Sequence, residues 1–250
     1  MGMSRGGLSE IVSMVIIMGV VIALGLIFYI IIGINFSKAS ASVSVSQIET
    51  LFDNIATDLD SALSSPMPSN VLSYPVFMTN YGTYNVAPSF CNLTINGTTV
   101  YSSDGVVFGI PPGYGSMPSG YINVLLGNKS LIVANESGNL FNVVFYGAST
   151  ISSMTYGEFI ALYPKVAVLT MGGGQYELLV PVLIGRFNPS LSNLLVFNVT
   201  YPISVNYNYD RPGTYIINYT CGARNELLSS SVVLDGKIEI LPVYIYVYYG

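Results

Sequence analysis

Apolar and polar positions divide the chain into two parts with different periods. Residues 11–34 carry no charge, and only Ser13, Tyr29 and three glycines interrupt the strongly apolar run. A helix of this length is about 36 Å long and exceeds a hydrocarbon core of about 30 Å. The run therefore predicts a helix that can span a membrane. A removed secretory signal fits less well, because its apolar region is only about 7–15 residues long.

A helical period of three to four resumes after a Ser-rich stretch at residues 39–46. The apolar positions of this second stripe are Ile48, Leu51, Phe52, Ile55, Leu59, Ala62 and Leu63. The other face carries the acidic residues Glu49, Asp53, Asp58 and Asp60. The Ser-rich stretch is either a hinge or part of one helix, and the absence of Gly and Pro after Gly33 favours one amphipathic continuation. Pro66 and Pro68 are predicted to end the helix near Ser64.

Residues 66–250 have short apolar runs separated by turn residues about every 8–12 positions, which predicts an antiparallel β-sandwich or barrel-like head. The predicted strands are 92–95, 98–101, 121–126, 130–134, 140–146, 166–171, 176–185, 194–205, 214–221, 232–234 and 237–241. Residues 121–146 are predicted to form a meander.

The turns between strands carry their own signals. Asn96-Gly97, Gly172–Gly174 and Asp235-Gly236 are predicted hairpin turns. Thr155 and Glu158 form a capping box that predicts a short helix at 159–163. The expected fold class is α+β.

The C-terminal segment alternates between two kinds of side chain. One side of the predicted strand carries Val243, Ile245 and Val247, and the other carries Tyr244, Tyr246 and Tyr248. This pattern predicts a β-branched core face and a tyrosine ladder. The favoured interpretation packs the tyrosines against the amphipathic helix or a neighbouring subunit. The alternative is an exposed platform on which carbohydrate stacks.

Composition narrows the possible functions. Only 8% of residues are charged, against about 25% in ordinary soluble domains, and 51% are hydrophobic. Histidine is absent, which excludes Ser-His-Asp catalysis and His-ligated metal sites. The net charge of −5 argues against a nucleic-acid partner. Gly172–Gly174 lacks the Lys-Ser/Thr of a phosphate loop, and the acidic residues are scattered, so neither an enzyme nor a cofactor is expected.

Several residue types mark candidate modification or binding sites in the head. Cys91 and Cys221 are predicted to form a disulfide outside the cell, the alternative being two buried thiols. The glycosylation sequons lie at Asn92, Asn96, Asn128, Asn135, Asn198, Asn218 and, less favourably, Asn35 next to the apolar run. Asn206, Asn208 and Asp210 project to one side, as calcium ligands do, but a strand entering the Pro212-Gly213 turn explains them without metal.

The residues around the start of the apolar run carry a family resemblance. The stretch Arg5-Gly6-Gly7-Leu8-Ser9-Glu10-Ile11-Val12 resembles archaeal type IV pilins with a class III signal peptide. The resemblance covers residues 4–35. It implies that residues 1–7 are a leader removed by a prepilin peptidase, with Gly7/Leu8 the favoured cleavage site and Gly6/Gly7 the alternative. Residues 8–65 then form a helix that is transmembrane in the precursor and becomes the filament core, and residues 66–250 form an extracellular head.

The same resemblance implies a homopolymeric filament. Its assembly would need a secretion ATPase and a membrane platform, beginning in the cytoplasmic membrane and ending outside the cell. Two alternatives stay open. One is a membrane-tethered surface protein that uses the helix as a permanent anchor and the head for adhesion or sugar binding. The other is an archaellin, which resembles pilins in processing and layout.

Glu10 stands at the edge of the apolar run, where a carboxylate is costly in lipid unless it has a partner. Cleavage before Leu8 would create an α-ammonium group within one turn of Glu10. In a stack of identical helices, that amine is expected to pair with the carboxylate of a neighbouring subunit. The alternative is that Glu10 only complements the helix dipole, which is worth about 0.3–1 kcal/mol.

Overall fold

The computed structural model describes residues 5–64, 69–76, 82–115, 117–134, 138–186, 194–201, 207–223 and 226–249. Within these ranges the chain forms one long helix, α1 (Arg5–Ser64), followed by a domain built of strands. This arrangement confirms the α+β class. The helix ends at Ser64, as predicted, and Pro66 itself lies outside the described residues.

Helix α1 runs without a break through the Ser-rich stretch, so one helix rather than a hinge is confirmed. Hydroxyls along this part of α1 donate to backbone carbonyls four residues earlier. Ser37 bonds to Gly33 O (2.9 Å), Ser44 to Ser40 O (3.0 Å) and Thr50 to Ser46 O (3.1 Å). The hydroxyls of these three residues are therefore satisfied within the helix itself.

Fourteen strands follow within the described ranges. They are β1 (Ser69–Pro75), β2 (Thr83–Ile95), β3 (Thr98–Ile110), β4 (Ile122–Leu126), β5 (Ile132–Ala134), β6 (Phe141–Tyr146), β7 (Ser149–Ile151), β8 (Met154–Tyr156), β9 (Glu158–Pro164), β10 (Val166–Gly172), β11 (Gln175–Arg186), β12 (Leu194–Thr200), β13 (Tyr207–Ala223) and β14 (Glu226–Tyr249). Twelve strands share one sheet whose main path is β4-β6-β9-β3-β2-β13-β14-β11-β10-β5. The path does not close on itself. Strand β12 joins β14 and carries β1, and β7 pairs with β8 separately.

Two predicted hairpins are confirmed. Strands β2 and β3 meet at Asn96-Gly97, where both residues have positive φ (50° and 78°), as a type I′ turn requires. Strands β10 and β11 meet at the glycine triplet, whose three residues also have positive φ.

The hairpin predicted at Asp235-Gly236 is wrong. Strand β14 runs straight through it and pairs with β13 from Glu226 to Ile240, on both sides of Gly236. Gly236 lies opposite Gly213, next to the register shift between Tyr209 and Gly213. The glycines therefore mark an irregularity within a long pair of strands. Locally, an Asp-Gly pair does not distinguish such an irregularity from a chain reversal.

The short helix predicted from Thr155 and Glu158 is also wrong. Residues 158–164 form β9, which lies between β3 and β6. Every residue of β9 is buried, so its apolar run is continuous and has no period of two. A run of this kind does not distinguish a strand from a buried helix.

The meander and the purely antiparallel sheet are likewise corrected. Strand β4 pairs with β6, whereas β5 pairs with β10 in parallel, and β11 also runs parallel to β14. The sheet is therefore mixed. Sequence patterns identified the three strands 122–126, 132–134 and 141–146 but not their partners, because pairing across long separations leaves no local signal.

The sheet strands bury both faces in separate cores. On one face, Phe108, Val143 and Ile160 pack with the helix residues Phe52 and Ile55. The other face of the same strands carries Val107, Val144 and Phe159. These side chains belong to a second core, which also contains residues of β10, β11, β13 and β14. Residues 48–63 of α1 thus provide one side of a core, as their stripe predicts.

The C-terminal alternation of β-branched residues and tyrosines is confirmed. The helix, however, covers the β-branched face of this strand rather than the tyrosine face. Val243, Ile245 and Val247 are buried in the core that α1 covers. Tyr246 and Tyr248 face away and are 42% and 38% exposed. Packing of the tyrosine ladder under the helix is therefore wrong, because the apolar stripe of α1 meets the β-branched face.

Cys91 and Cys221 form a disulfide that joins β2 to β13. They lie directly opposite each other in the strand register, with Cα atoms 4.1 Å apart, and both are fully buried. The bond connects positions separated by 130 residues and lies in the core between the strands.

Replacing both cysteines with alanine is expected to lower the free energy of unfolding by about 2–5 kcal/mol, because the unfolded chain is then no longer restricted by a long covalent loop. Urea unfolding of the variant and of the oxidised wild type in the same detergent measures the difference. Reduced wild type should unfold at a midpoint close to that of the variant. Equal midpoints for the variant and the oxidised chain would contradict the stabilising role.

Candidate assembly surface

The first half of α1 has no covering in the described chain. Every residue from 12 to 36 is exposed, and its large apolar side chains are between 49% and 79% exposed. A Cβ added at Gly19, Gly25 or Gly33 would meet nothing within 4 Å. We call residues 12–36 the exposed apolar segment.

The exposed apolar segment is the part of α1 that can cross a membrane by length and composition. The mean hydropathy of its most apolar stretch is 3.1, and none of that stretch is buried. Folded soluble proteins rarely expose more than a few hundred Å² of continuous apolar surface. A helix that is apolar on all sides is buried on all sides, either in lipid or among other helices.

The second half of α1 lies against the sheet domain, and we call residues 41–64 the docked segment. Its first buried residues are Ala41, Val45 and Ile48, at helical spacings of four and three. Beyond them, Phe52 is fully buried and its ring centroid lies 6.2 Å from that of Tyr84. The boundary between exposed and covered helix therefore falls within the Ser-rich stretch.

Polar contacts hold the end of the docked segment. Tyr201 donates its hydroxyl to Leu63 O (2.9 Å), which satisfies a carbonyl at the helix C-terminus. Tyr74 donates to Asp58 Oδ2 (2.7 Å). Asp60 Oδ1 accepts the backbone N–H of Leu140 (2.7 Å). Two of the acidic residues on the polar face of the helix thus bind the sheet domain.

Burial shifts the pKa values of two groups near this contact. Desolvation raises the pKa of Asp60 to about 6, although the Leu140 N–H and the charge of Lys165 oppose the shift. Lys165 is 1% exposed, and desolvation lowers its pKa while the charge of Asp60 raises it. Its Nζ donates to Asn128 Oδ1 at 3.1 Å. Asp60, Lys165 and Asn128 come from the helix and from two separate connections of the sheet domain.

Stability is expected to depend on the protonation of Asp60. Its pKa of about 6 exceeds the ordinary 3.8, so the folded chain binds this proton more tightly than the unfolded chain. The resulting stabilisation is complete below about pH 4 and is lost as the pH rises through about 6. The melting temperature of the wild type should therefore fall relative to that of Asp60→Asn between these values. A difference that stays constant with pH would contradict this role.

The candidate glycosylation sites occupy different environments. Asn96 lies exposed at the β2–β3 turn, and Asn128 lies exposed in the β4–β5 connection. Half-buried positions within strands are occupied by Asn92, Asn198 and Asn218. Asn35 is exposed on α1, and Asn135 lies outside the described residues. The two turn positions offer a glycan the most room.

The remaining sites predicted from sequence are only partly described. Gly7, Leu8 and Glu10 belong to α1, but their side chains lie outside the described part of the structure. The side chains of Asn206, Asn208 and Asp210, for which a strand without metal was the favoured interpretation, also lie outside the described part of the structure. Among the described residues, no group of three or more Asp, Glu, Cys or His side chains is placed to hold a metal ion.

Sequence reasoning missed the polar residues that hold the docked segment. Tyr201 and Lys165 each follow a strand and have no partner nearby in sequence. Their roles arise only because the sheet brings these connections to the end of α1. The acidic residues of the helix were identified, but nothing local indicated which of them would meet the sheet.

Comparison with known proteins adds no further assignment. No family model, curated protein or solved structure matches this chain.

Proposed function

We propose that the chain is a structural subunit of an extracellular filament, similar to archaeal type IV pilins, and that it assembles through the exposed apolar segment. One observation carries the proposal: residues 12–36 are almost entirely apolar and exposed on all sides, while the sheet domain covers residues 41–64 of the same helix. The occupant we assign to this surface is the same segment of other copies.

The assembly mechanism follows from this division of the helix. In the precursor the exposed apolar segment spans the cytoplasmic membrane, with Arg5 on the cytoplasmic side. A prepilin peptidase removes residues 1–7, and a secretion ATPase and membrane platform move the helix out of lipid. Contacts with lipid are then exchanged for contacts with neighbouring helices. Gly19, Gly25 and Gly33 allow backbones to approach closely.

The sheet domain forms the outer part of the filament in this proposal. Its Cys91–Cys221 disulfide suits an oxidising space outside the cell. Its role is structural and adhesive rather than enzymatic, and it uses no cofactor. Asn96 is the sequon best placed for a glycan in this setting.

Two related functions make different predictions. A membrane tether would remain in the membrane fraction when surface filaments are sheared from cells, whereas a pilin-like subunit would appear in the sheared filaments. Deleting an archaellin would abolish swimming, whereas deleting a pilin would remove filaments and leave swimming intact. Electron microscopy and motility assays of the deletion strain, with the wild-type chain restored as the control, separate these outcomes. Retention of the chain in membranes, with filaments unchanged by its deletion, would overturn the proposal.

A further inference from the structure

A buried lysine meets an asparagine side chain beside the end of α1. Lys165 lies between β9 and β10, and its backbone N–H donates to Leu140 O at 2.7 Å. Its side chain is 1% exposed, and Nζ donates to Asn128 Oδ1 at 3.1 Å. The two residues are therefore held in contact although they belong to different connections of the sheet domain.

Asn142 holds Asn128 in this position. Asn142 is fully buried, and its Nδ2 donates to Asn128 O at 3.0 Å. Its Oδ1 accepts the backbone N–H of Asn128 at 3.3 Å. Gly127 has a φ of +91°, and a Cβ there would lie 3.2 Å from Lys165 Nζ and would collide with Asn142 Oδ1. The absence of a side chain at Gly127 keeps this approach open.

Asp60, on the helix, interacts electrostatically with Lys165. Asp60 and Lys165 are near enough that the charge of each shifts the pKa of the other. Burial has the larger effect on both, raising the pKa of the acid and lowering that of the amine. Desolvation therefore favours a proton on the Asp60 carboxyl and a neutral amine on Lys165, and a neutral amine is the nucleophilic form.

We propose that Lys165 and Asn128 become joined by an intramolecular amide bond between Nζ of the lysine and Cγ of the asparagine. Asp60 first accepts a proton from the lysine ammonium. The neutral Nζ attacks Cγ, and the Nζ–Cγ bond forms as the Cγ–Nδ2 bond breaks. Nδ2 leaves as ammonia, which takes up the second proton from Nζ, and the proton held by Asp60 is released, giving ammonium overall. No oxidant or further reactant is needed.

The fold holds the amine and the carboxamide together, whereas in water the two groups would rarely meet. Nζ lies 3.1 Å from Oδ1 of Asn128, so the amine is held against the carboxamide whose Cγ it attacks, and two groups held in contact in this way gain a high effective concentration. The exposed position of Asn128 gives ammonia a path to solvent. Because Nδ2 is lost, Asn128 cannot also carry an N-linked glycan. The bond would secure the β4–β5 connection to the start of β10, independently of whether the chain forms filaments.

Mass spectrometry of the full chain, purified in detergent, tests the bond directly. Apart from the two hydrogens lost in the disulfide, the mature chain should be lighter than its sequence by one ammonia molecule. Fragmentation of a protease digest should place the loss on one branched peptide that contains residues 128 and 165. A full-mass chain with separate peptides, or a glycan on Asn128, would overturn the proposal.

Variants test the part assigned to Asp60. Asp60→Asn keeps an oxygen that can accept the Leu140 N–H but cannot take the proton, so at least half of the chains should remain unlinked. Asp60→Glu should restore the bond partly. Asp58→Asn, on the same helix and bound to Tyr74, should leave it complete. A fully linked Asp60→Asn would contradict the role of Asp60, and the wild-type digest decides the bond itself even if a variant misfolds.

Discussion

Replacing Glu10 with glutamine is expected to reduce the number of filaments per cell at least about tenfold at matched protein levels. The proposed filament buries the new α-ammonium of Leu8 beside the carboxylate of a neighbouring subunit. Leaving one member of a buried pair without its partner costs about 3–5 kcal/mol. The sheet domain of the variant should still fold, since it lies far along the chain from residue 10. The variant should also still be inserted and cleaved. Electron microscopy counts, with immunoblots of cleaved subunit, provide the measurement.

Glu49→Gln is the matched control for this prediction. It makes the same chemical change on the same helix, but within the docked segment, where the side chain of Glu49 is half-buried. Filament numbers for Glu49→Gln should stay near those of the wild type. If Glu10 only complements the helix dipole, the Glu10→Gln variant should also form near-normal filaments, and the pairing mechanism would be wrong.

Replacing Phe52 with alanine is expected to lower the free energy of unfolding of the sheet domain by about 3–5 kcal/mol. Phe52 is fully buried and contacts the Tyr84 ring in the core between α1 and the sheet. Truncation removes apolar contacts and leaves a cavity that rigid strands cannot close. Urea unfolding followed by tyrosine fluorescence, in the detergent used for the full chain, gives the change.

Val43→Ala serves as the control for Phe52→Ala. Val43 is 60% exposed on the same helix and should change the unfolding free energy by less than about 0.5 kcal/mol. An effect of Phe52→Ala as small as that of Val43→Ala would contradict the docking of residues 41–64 against the sheet.

The helix was predictable because its signals are local. Ile48, Phe52 and Ile55 repeat at helical spacing, and Pro66 follows the last turn, so the buried stripe and the end of α1 follow from neighbouring residues. The disulfide and the Asn96-Gly97 hairpin were also predicted, the first from the only two cysteines and the second from turn chemistry. Each of these features depends on very few residues.

The sheet was less predictable because its strands pair across long separations. The run 158–164 is buried on both faces and so lacks the alternation of a half-exposed strand. Gly236 indicates a break in regular structure but not whether the chain reverses there. The parallel pairing of β5 with β10 and of β11 with β14 has no sequence signal within either strand.

One part of the candidate site was predictable from local sequence, and the other part was not. The exposed apolar segment was evident from residues 11–34 alone, because only composition and length are needed to recognise it. The contacts of Asp60, Lys165 and Asn128 depend on three distant parts of the chain meeting at one end of α1. Sequence therefore predicted the surface proposed for assembly but not the contacts that fix the helix to the sheet.

The most direct test of the proposed function is the intact mass and N-terminal sequence of the subunit in filaments sheared from cells and purified. The account predicts that these filaments contain this chain and that it begins at Leu8, with the exposed apolar segment immediately behind the new terminus. A chain that begins at Met1 or Met3, recovered only from the membrane fraction, would contradict the filament proposal and favour a permanent membrane tether.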